Sequence, residues 1–286
     1  MLTSSYSVLS PYIAADSGVE IGEQGILNFP ISTTSPAIIA NSYYFGHPLW
    51  AKNYFENCHR DEVFKSCWQA AMGSWDQKIV VDIGCGPGNL YATLGGKPEL
   101  LIGVDVSYGA LSMAQRLGYT PVRADAHQLP FINNFADIVV LNATLHHCDQ
   151  MDIVLSEAAR LVRPGGILIT DHDPQLTAWN FKGLGLWLWN LRLWLYRLIK
   201  RGGHTTAAEQ TWVSATEVHH RPGSGVTREL FYKILEPLGF SVKLYPITIR
   251  LVQKYCLVIM GNLTRSIVSL NYALVSILIL HLQPCR

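Results

Sequence analysis

The chain has 286 residues, of which 49% are hydrophobic and 15% are charged, and its formal net charge is +1. This length suffices for one large α/β domain with an insertion, or for two small domains. No run of Lys and Arg is longer than Lys200-Arg201, so the basic face of a nucleic-acid binder is missing and we expect no nucleic-acid partner. The six cysteines form no CxxC pair, which indicates neither a disulfide framework nor a zinc site, and we predict no metal.

Residues 1–45 are rich in Ser, Thr, Pro and Gly and show no sustained hydrophobic period. We therefore interpret 1–45 as a loosely structured N-terminal arm. Its first 20 residues contain no Lys or Arg and no long apolar core. We expect no signal peptide, and a cytoplasmic location.

The pattern becomes helical from Leu49 to Gly73, and short apolar runs then alternate with helical segments. Continuous apolar runs separated by helices indicate a parallel sheet covered on both faces. We therefore predict an α/β domain over residues 46–261. The predicted strands are Ile79–Ile83, Leu100–Val104, Thr120–Val122, Ile138–Leu141 and Ile167–Thr170.

The alternation of short apolar runs and helical segments stops after Asp171. Residues 172–238 form a connection far longer than a normal strand–helix unit, and we interpret 174–225 as a helical lid insertion. The runs Phe240–Tyr245 and Tyr255–Met260 follow, joined by a short link, which favours an antiparallel hairpin at the sheet edge.

The stretch VVDIGCGPG, residues 80–88, places three alternating glycines after an apolar strand. A dinucleotide fingerprint G-x-G-x-x-G would need a third glycine where Asn89 stands, and a P-loop would need a Lys-Ser or Lys-Thr pair. Asp82 would repel a pyrophosphate but would suit a ligand that carries an ammonium group. The turn is therefore not well explained as a phosphate loop.

Two further acids follow the next two predicted strands. Asp105 can accept hydrogen bonds from a ribose diol. Asp125 could accept from the exocyclic amine of adenine while the Ala126 amide meets a ring nitrogen. Partners for an amino group, a ribose and an adenine fit S-adenosylmethionine better than NAD or ATP.

With these motifs the sequence resembles the class I S-adenosylmethionine-dependent methyltransferases, over about residues 60–175. VVDIGCGPG is similar to their first motif, LLIGVDVS to their second-strand acid and ADAHQLPF to their adenine motif. FADIVVLNATLHH resembles their fourth strand, with the Leu-His-His of the small-molecule, methyltransferase type 11 branch, and LVRPGGILI resembles the turn before the fifth. The resemblance implies a Rossmann-like, seven-stranded and mostly parallel sheet of order 3-2-1-4-5-7-6. Strand 7 would be antiparallel, and helices would cover both faces.

The resemblance also implies S-adenosyl-L-methionine as cofactor and S-adenosyl-L-homocysteine as product. In some relatives the N-terminal arm folds over the cofactor, and Tyr43, Tyr44 and Phe45 could do so here. The residues predicted to bind the cofactor are Asp82, Gly84, Cys85, Gly86, Asp105, Val106, Asp125, Ala126 and Asn142.

Several histidines could act as the base that is needed when the methyl acceptor loses a proton. His146 and His147 follow the fourth strand, and His172 follows the fifth. The resemblance maps acceptor-facing positions onto His146 and His172, which we predict to be catalytic, whereas for His147 we favour packing or capping. The pair His219-His220 could reach over the site from the insertion or form a solvent-facing turn.

Four of the eight tryptophans lie in the first part of the insertion, at positions 179, 187, 189 and 194. It could form a cap helix on the sheet, a lid with an apolar acceptor pocket, or an interfacial membrane contact. Residues 262–286 are predicted to form a hydrophobic helix, whose apolar part is shorter than the about 20 residues that span a bilayer. Peripheral membrane contact through 181–201 or 267–282 therefore stays open.

The sequence thus predicts a methyltransferase that moves a methyl group to O, N or C of a small apolar or aromatic metabolite, such as a natural product or a quinone. A non-catalytic S-adenosylmethionine-binding module is one alternative. A nicotinamide oxidoreductase is another, against which the missing third glycine, Asp82 and Asp125 count. Neither the acceptor nor the oligomeric state follows from the sequence.

Overall fold

The computed structural model of the protein describes residues 4–31, 35–57, 62–176, 182–199, 206–216, 224–249 and 252–260. The strands in these ranges form one sheet in the order β1-β2-β5-β4-β3-β6-β7-β9-β8. The strands are β1 (Glu20–Ile21), β2 (Leu27–Asn28), β3 (Ile79–Ile83), β4 (Leu100–Asp105), β5 (Thr120–Arg123), β6 (Ala136–Asn142), β7 (Val162–Pro174), β8 (Ser241–Ile249) and β9 (Val252–Met260).

Helices precede, connect and cover these strands. A short 3-10 turn, Leu145–His147, follows β6. The helices are α1 (Ser4–Leu9), α2 (Pro36–Gly46), α3 (Pro48–Asn57), α4 (Glu62–Met72), α5 (Asn89–Leu94), α6 (Tyr108–Leu117), α7 (Met151–Leu161), α8 (Gly183–Leu198), α9 (Ala207–Thr216) and α10 (Arg228–Leu235).

The seven strands from β5 to β8 confirm the predicted topology. Strands β5, β4, β3, β6 and β7 pair in parallel, and β9 runs antiparallel to both β7 and β8. In the predicted numbering this is the order 3-2-1-4-5-7-6 with an antiparallel seventh strand. The sheet therefore brings the carboxyl ends of β3, β4, β5 and β6 to one edge, where open α/β sheets bind ligands.

Apolar side chains cover both faces of the sheet, as the continuous apolar runs predicted. Along β3, Val81 and Ile83 join the core that contains α7 and α10, whereas Val80 joins the core that contains α4, α5 and α6. This alternation follows from the two-residue period of a strand. It also sends Asp82 to the same face as Val80.

The N-terminal segment differs from the loosely structured arm that we predicted. Strands β1 and β2 form an antiparallel pair, and β2 extends the sheet by pairing in parallel with β5, so that Leu27 lies opposite Val122. Each of these strands has two residues, which is too short to show a hydrophobic period. The single helical segment predicted from Leu49 to Gly73 is described as two helices, α3 and α4.

Helices α8 and α9 occupy the described part of the predicted insertion. The chain re-enters the domain where Leu176 donates to the carbonyl of Val226, and Val226 donates to that of Pro174, both at 3.0 Å. Among the described residues, no helix is both long and apolar enough to cross a membrane. Trp179, the pair His219-His220 and the predicted helix 262–286 lie outside the described residues.

Candidate active site

A cavity lies at the carboxyl ends of β3, β4, β5 and β6 and encloses about 890 Å³, including its open mouth. Helix α2 closes it from above with Ile38, Asn41 and Phe45, and Tyr54 of α3 adds to the same wall. All nine residues predicted to bind the cofactor line this cavity. The structure thus brings together residues that are separated by up to sixty positions in the chain.

Asp82 is the penultimate residue of β3 and is 1% exposed. Burial raises the pKa of its carboxyl group to about 7, the hydrogen bond from Tyr119 opposes this rise, and the nearby charge of Asp105 adds to it. The Tyr119 hydroxyl donates to Oδ2 at 2.7 Å. Asp82 is therefore close to half-protonated at neutral pH and would ionise fully beside a cationic group.

Two of the three glycines of the turn after β3 have different roles. Gly84 and Gly86 both have positive φ, 71° and 52°. A Cβ atom on Gly84 would lie 2.6 Å from the side chain of Thr144, so this glycine permits close packing against the chain after β6. A Cβ atom on Gly86 would meet no described atom within 4 Å and would enter the cavity, where it would occupy space that a ligand needs.

Asp105 links the end of β4 to the glycine turn. Its Oδ2 accepts from the Gly86 amide at 2.9 Å, and its Oδ1 accepts from the Ser107 amide at 2.8 Å. Burial raises the pKa of Asp105, and these two hydrogen bonds oppose the rise. Each carboxylate oxygen has two lone pairs, so both can also accept from a ligand hydroxyl.

His127, which the sequence analysis did not single out, holds Asp125 in place. Asp125 Oδ1 accepts from the His127 amide at 2.9 Å and from its Nδ1 at 2.6 Å, and His127 Nε2 accepts from the Gln150 amide at 3.3 Å. Burial alone would raise the pKa of Asp125, but the hydrogen bonds from His127 outweigh it and the pKa is lowered. Asp125 thus presents a charged carboxylate at the cavity. The spacing Asp-x-His was the available signal for this pair.

Three buried side-chain oxygens in the cavity wall are acceptors that bond to no group in the described part of the chain. They are Asp82 Oδ1, Asn142 Oδ1 and Asn41 Oδ1. Buried acceptors are nearly always satisfied, so this cavity calls for a ligand rich in donors. S-Adenosylmethionine carries such donors in its ammonium group, its ribose hydroxyls and its adenine amine. Together with the open space at Gly86, the residues present fit this cofactor.

The two adjacent histidines after β6 take different positions. His147 lines the cavity, its Nδ1 lies 2.5 Å from the Thr216 carbonyl of α9, and its ring contacts Phe45 edge-on at 5.7 Å. His146 is buried instead, and its amide and Nδ1 both bond to Asp173 Oδ1, at 3.1 and 2.8 Å. Successive residues of a 3-10 turn point about 120° apart, so the sequence did not reveal which histidine faces the cavity.

His172, the other predicted catalytic histidine, follows Asp171 at the end of β7. Its φ is 62°, an uncommon conformation for a residue with a side chain, and its Nδ1 lies 2.8 Å from Asp171 Oδ2. Its ring packs against Phe64 at 5.3 Å between ring centroids. The strained backbone marks this position as one that the fold holds in place.

The N-terminal segment and the insertion meet above the cavity at His147. Asn41 of α2 donates to the His147 carbonyl at 3.3 Å, and α9 contributes the Thr216 carbonyl from the other side. Helices α2 and α9 also pack against each other. The cavity is therefore covered by α2, which is supported by α9 from a distant part of the chain.

Comparison with known proteins assigns this fold and cavity to a family. Residues 81–170 match the family described as methyltransferase domain. An uncharacterized methyltransferase of Mycobacterium tuberculosis is 34% identical over 145 residues, which are 49% of this chain and 67% of the relative. The ubiquinone biosynthesis O-methyltransferase of Thiobacillus denitrificans is 28% identical over 48% of this chain and 62% of its own length.

The fold also matches solved structures. The magnesium protoporphyrin IX methyltransferase of Synechocystis with bound S-adenosylmethionine aligns over 82% of this chain and 100% of its own, with a TM-score of 0.50 and 17% identity. That likeness supports the fold, and the sequence relatives support the chemistry. The chain belongs to the class I S-adenosylmethionine-dependent methyltransferases, in their small-molecule, methyltransferase type 11 branch, and S-adenosylmethionine is its methyl donor.

Proposed function

We propose that the enzyme transfers its methyl group to O, N or C of a small, neutral, apolar or aromatic acceptor, such as a natural product or a quinone precursor. The charge of the cavity wall carries this proposal. The described residues that line the cavity include four aspartates, at 82, 105, 125 and 149, and neither lysine nor arginine. A phosphorylated acceptor would find no lysine or arginine among these residues to offset its desolvation.

Aromatic side chains at the roof of the cavity also favour an apolar acceptor. Phe45 packs edge-on against Tyr54 at 5.3 Å and against His147 at 5.7 Å. A flat aromatic acceptor would stack favourably on these rings. The matching enzyme from Thiobacillus denitrificans acts in ubiquinone biosynthesis, so an acceptor of the quinone class is consistent with this wall.

Binding of the donor would be divided among four strand ends. The bound cofactor supplies an electrophilic methyl group on a sulfonium. Asp82 and Asn142 would receive its ammonium, Asp105 its ribose hydroxyls, and Asp125 its adenine amine. Because Asp82, Asp105 and Asp125 are held in place by hydrogen bonds, the donor would be oriented before the acceptor arrives.

We keep His146, the residue predicted from the sequence, as the candidate base for the acceptor's proton. It does not line the cavity itself, but its ring lies 4.0 Å from that of His147, which does. Asp173 accepts from Nδ1 of His146, so Nε2 is the nitrogen that can take up a proton. The buried carboxylate would stabilise the imidazolium that forms, as in other His–Asp pairs. His172 would position the acceptor beside this pair from the end of β7.

A matched pair of acceptors tests the charge argument. The enzyme is incubated with methyl-labelled S-adenosylmethionine and either a neutral aromatic alcohol or quinol, or the phosphate monoester of the same compound with a second hydroxyl left available. We expect label in the neutral compound and little in the ester. Preferential labelling of the ester would contradict the proposal. An extract of the host, labelled in the same way, then narrows the acceptor.

A further inference from the structure

Helix α8 turns an apolar face to solvent. Its exposed residues recur at helical spacing along one side, and the half-buried Leu191 continues the same row. The exposed members are Leu184, Trp187, Leu188, Trp194, Leu195 and Leu198, whose relative exposures range from 45% to 72%. We call this row the α8 face.

The opposite side of α8 is attached to the domain. Leu186, Leu193 and Tyr196 are partly buried there, and Gln210 of α9 donates to the Leu193 carbonyl at 2.5 Å. A surface helix of a water-soluble domain normally buries its apolar row and exposes its polar side. In α8 the apolar row is the exposed one, which marks it as an interaction surface.

The charge of the surrounding segment indicates what this surface contacts. From residue 174 to residue 208 the sequence contains no Asp or Glu, and its basic residues are Lys182, Arg192, Arg197, Lys200 and Arg201. Helices that lie in a membrane interface have this composition: leucine and tryptophan on one face, with basic residues and no acids around them. Anionic lipid headgroups complement this charge.

We propose that α8 lies flat on an anionic lipid bilayer, with the α8 face inserted at the boundary between headgroups and acyl chains. The helix would run about 24 Å along the surface, from its 16 residues at 1.5 Å each. A second copy of the chain is a poorer occupant, because a two-fold contact through this face would place two basic segments against each other. The apolar run 267–282 could cover leucine and tryptophan but offers no acid to the basic residues.

Cosedimentation of the full chain with vesicles tests the proposal, which does not depend on the identity of the methyl acceptor. The vesicles contain phosphatidylcholine alone or phosphatidylcholine mixed with phosphatidylglycerol. We expect binding to the anionic vesicles to be at least about tenfold tighter than to the neutral ones and to weaken as salt is added. Brominated lipids should quench the tryptophan fluorescence of the bound protein.

The double variant Trp187→Ser/Trp194→Ser should bind anionic vesicles at least about tenfold more weakly. The matched control is Ile153→Ser/Leu238→Ser, which removes two exposed apolar side chains from other elements and should bind like the wild type. Both variants should keep the wild-type affinity for S-adenosylhomocysteine, which shows that they fold.

Three outcomes would overturn the proposal. The tryptophan variant could bind vesicles as well as the wild type does. Removal of residues 262–286 could abolish binding while the tryptophan variant retains it, which would assign the contact to the C-terminal run. Light scattering could show that the wild type is a dimer and the tryptophan variant a monomer, with no vesicle binding by either, which would assign the α8 face to a second copy.

Discussion

The cofactor cavity and helix α8 present opposite kinds of surface. In the cavity, Asp105 and Asp125 are each held by two hydrogen bonds, and the space between them is bounded on several sides. In α8 the interacting groups are leucines and tryptophans that stand in solvent. Binding of a polar nucleoside requires buried hydrogen-bond acceptors at fixed positions. Contact between an apolar face and a lipid surface would require only a sufficient apolar area with basic residues around it.

The sharpest contrast concerns the two histidines after β6. If His146 is the base, His146→Gln should lower turnover by roughly 10²- to 10⁴-fold with little change in affinity for S-adenosylhomocysteine. The control, His147→Gln, alters a residue of the cavity wall, so it should raise the KM for the cofactor more than it lowers kcat. Steady-state kinetics with a labelled acceptor distinguishes the two. Equal kcat for His146→Gln and the wild type would make His146 structural.

Substitution of Gly84 tests how tightly the glycine turn packs against Thr144. Gly84→Ala should lower the free energy of unfolding by about 2–4 kcal/mol, because the methyl group clashes with Thr144 and φ is positive. Gly165→Ala is the matched control, since Gly165 has a φ of 80° and no described atom within 4 Å of the added carbon. Urea denaturation should show a loss of only about 1–2 kcal/mol for the control.

Gly86→Ala separates ligand space from stability. Its added carbon would enter the cavity rather than touch the described residues, so its loss of stability should match that of Gly165→Ala. Its affinity for S-adenosylhomocysteine, measured by calorimetry, should fall by about tenfold or more, since the methyl group would occupy space that the ligand needs. Unchanged affinity would place the ligand away from the glycine turn.

The ribose assignment of Asp105 predicts a smaller change. Asp105→Ala should weaken S-adenosylhomocysteine binding by roughly 1–3 kcal/mol, the usual penalty for unpaired polar groups at a buried site. Asp149→Ala is the charge-matched control, because Asp149 also lines the cavity but is exposed. Calorimetry should find near-wild-type affinity for this control, and NADH should bind weakly to every variant. Equal losses at both positions would indicate a general charge effect.

The raised pKa of Asp82 predicts opposite pH trends for binding and stability. The pKa of Asp82 is about 7 in the ligand-free fold and 3.8 in the unfolded chain. Between these pH values the folded protein binds more protons than the unfolded chain, so the free energy of unfolding falls as the pH rises towards and through 7. Ionised Asp82 suits the ligand ammonium, so affinity should instead increase over the same range. From pH 8 to pH 6 the affinity should fall by about tenfold.

Asp82→Asn should flatten both trends. The difference in free energy of unfolding between the ligand-free variant and the wild type should favour the variant more at pH 8 than at pH 5. Only the wild type loses stability over this range, because only it has a carboxyl group at position 82 that gives up its proton. Its affinity for S-adenosylhomocysteine should be low at both pH values. Thermal melts and calorimetry at the two pH values measure this, and a variant that keeps the wild-type pH profile would show that another group is responsible.

Much of the lining of the cofactor cavity was predictable from single residues. Asp82, Gly86, Asp105 and Asp125 each lie at or just after the carboxyl end of a strand, and parallel strands bring these ends to one edge, so their convergence follows from topology. His127 was missed because its contact with Asp125 depends on the conformation of one turn. The strands β1 and β2 were missed because two residues show no period, whereas their pairing with each other and of β2 with β5 is a tertiary contact.

By itself, the sequence determined the strands at the cofactor edge and the methyl donor, because both depend on local patterns repeated at each strand end, and the order of the sheet followed from the resemblance that these patterns carry. Only the tertiary structure decided which histidine lines the cavity, that α2 covers it with α9 packed alongside, and which side of α8 is exposed. These depend on the packing of elements far apart in the chain. A row of leucines and tryptophans has the same spacing whether it faces the core or the solvent, and only the neighbours it contacts distinguish the two.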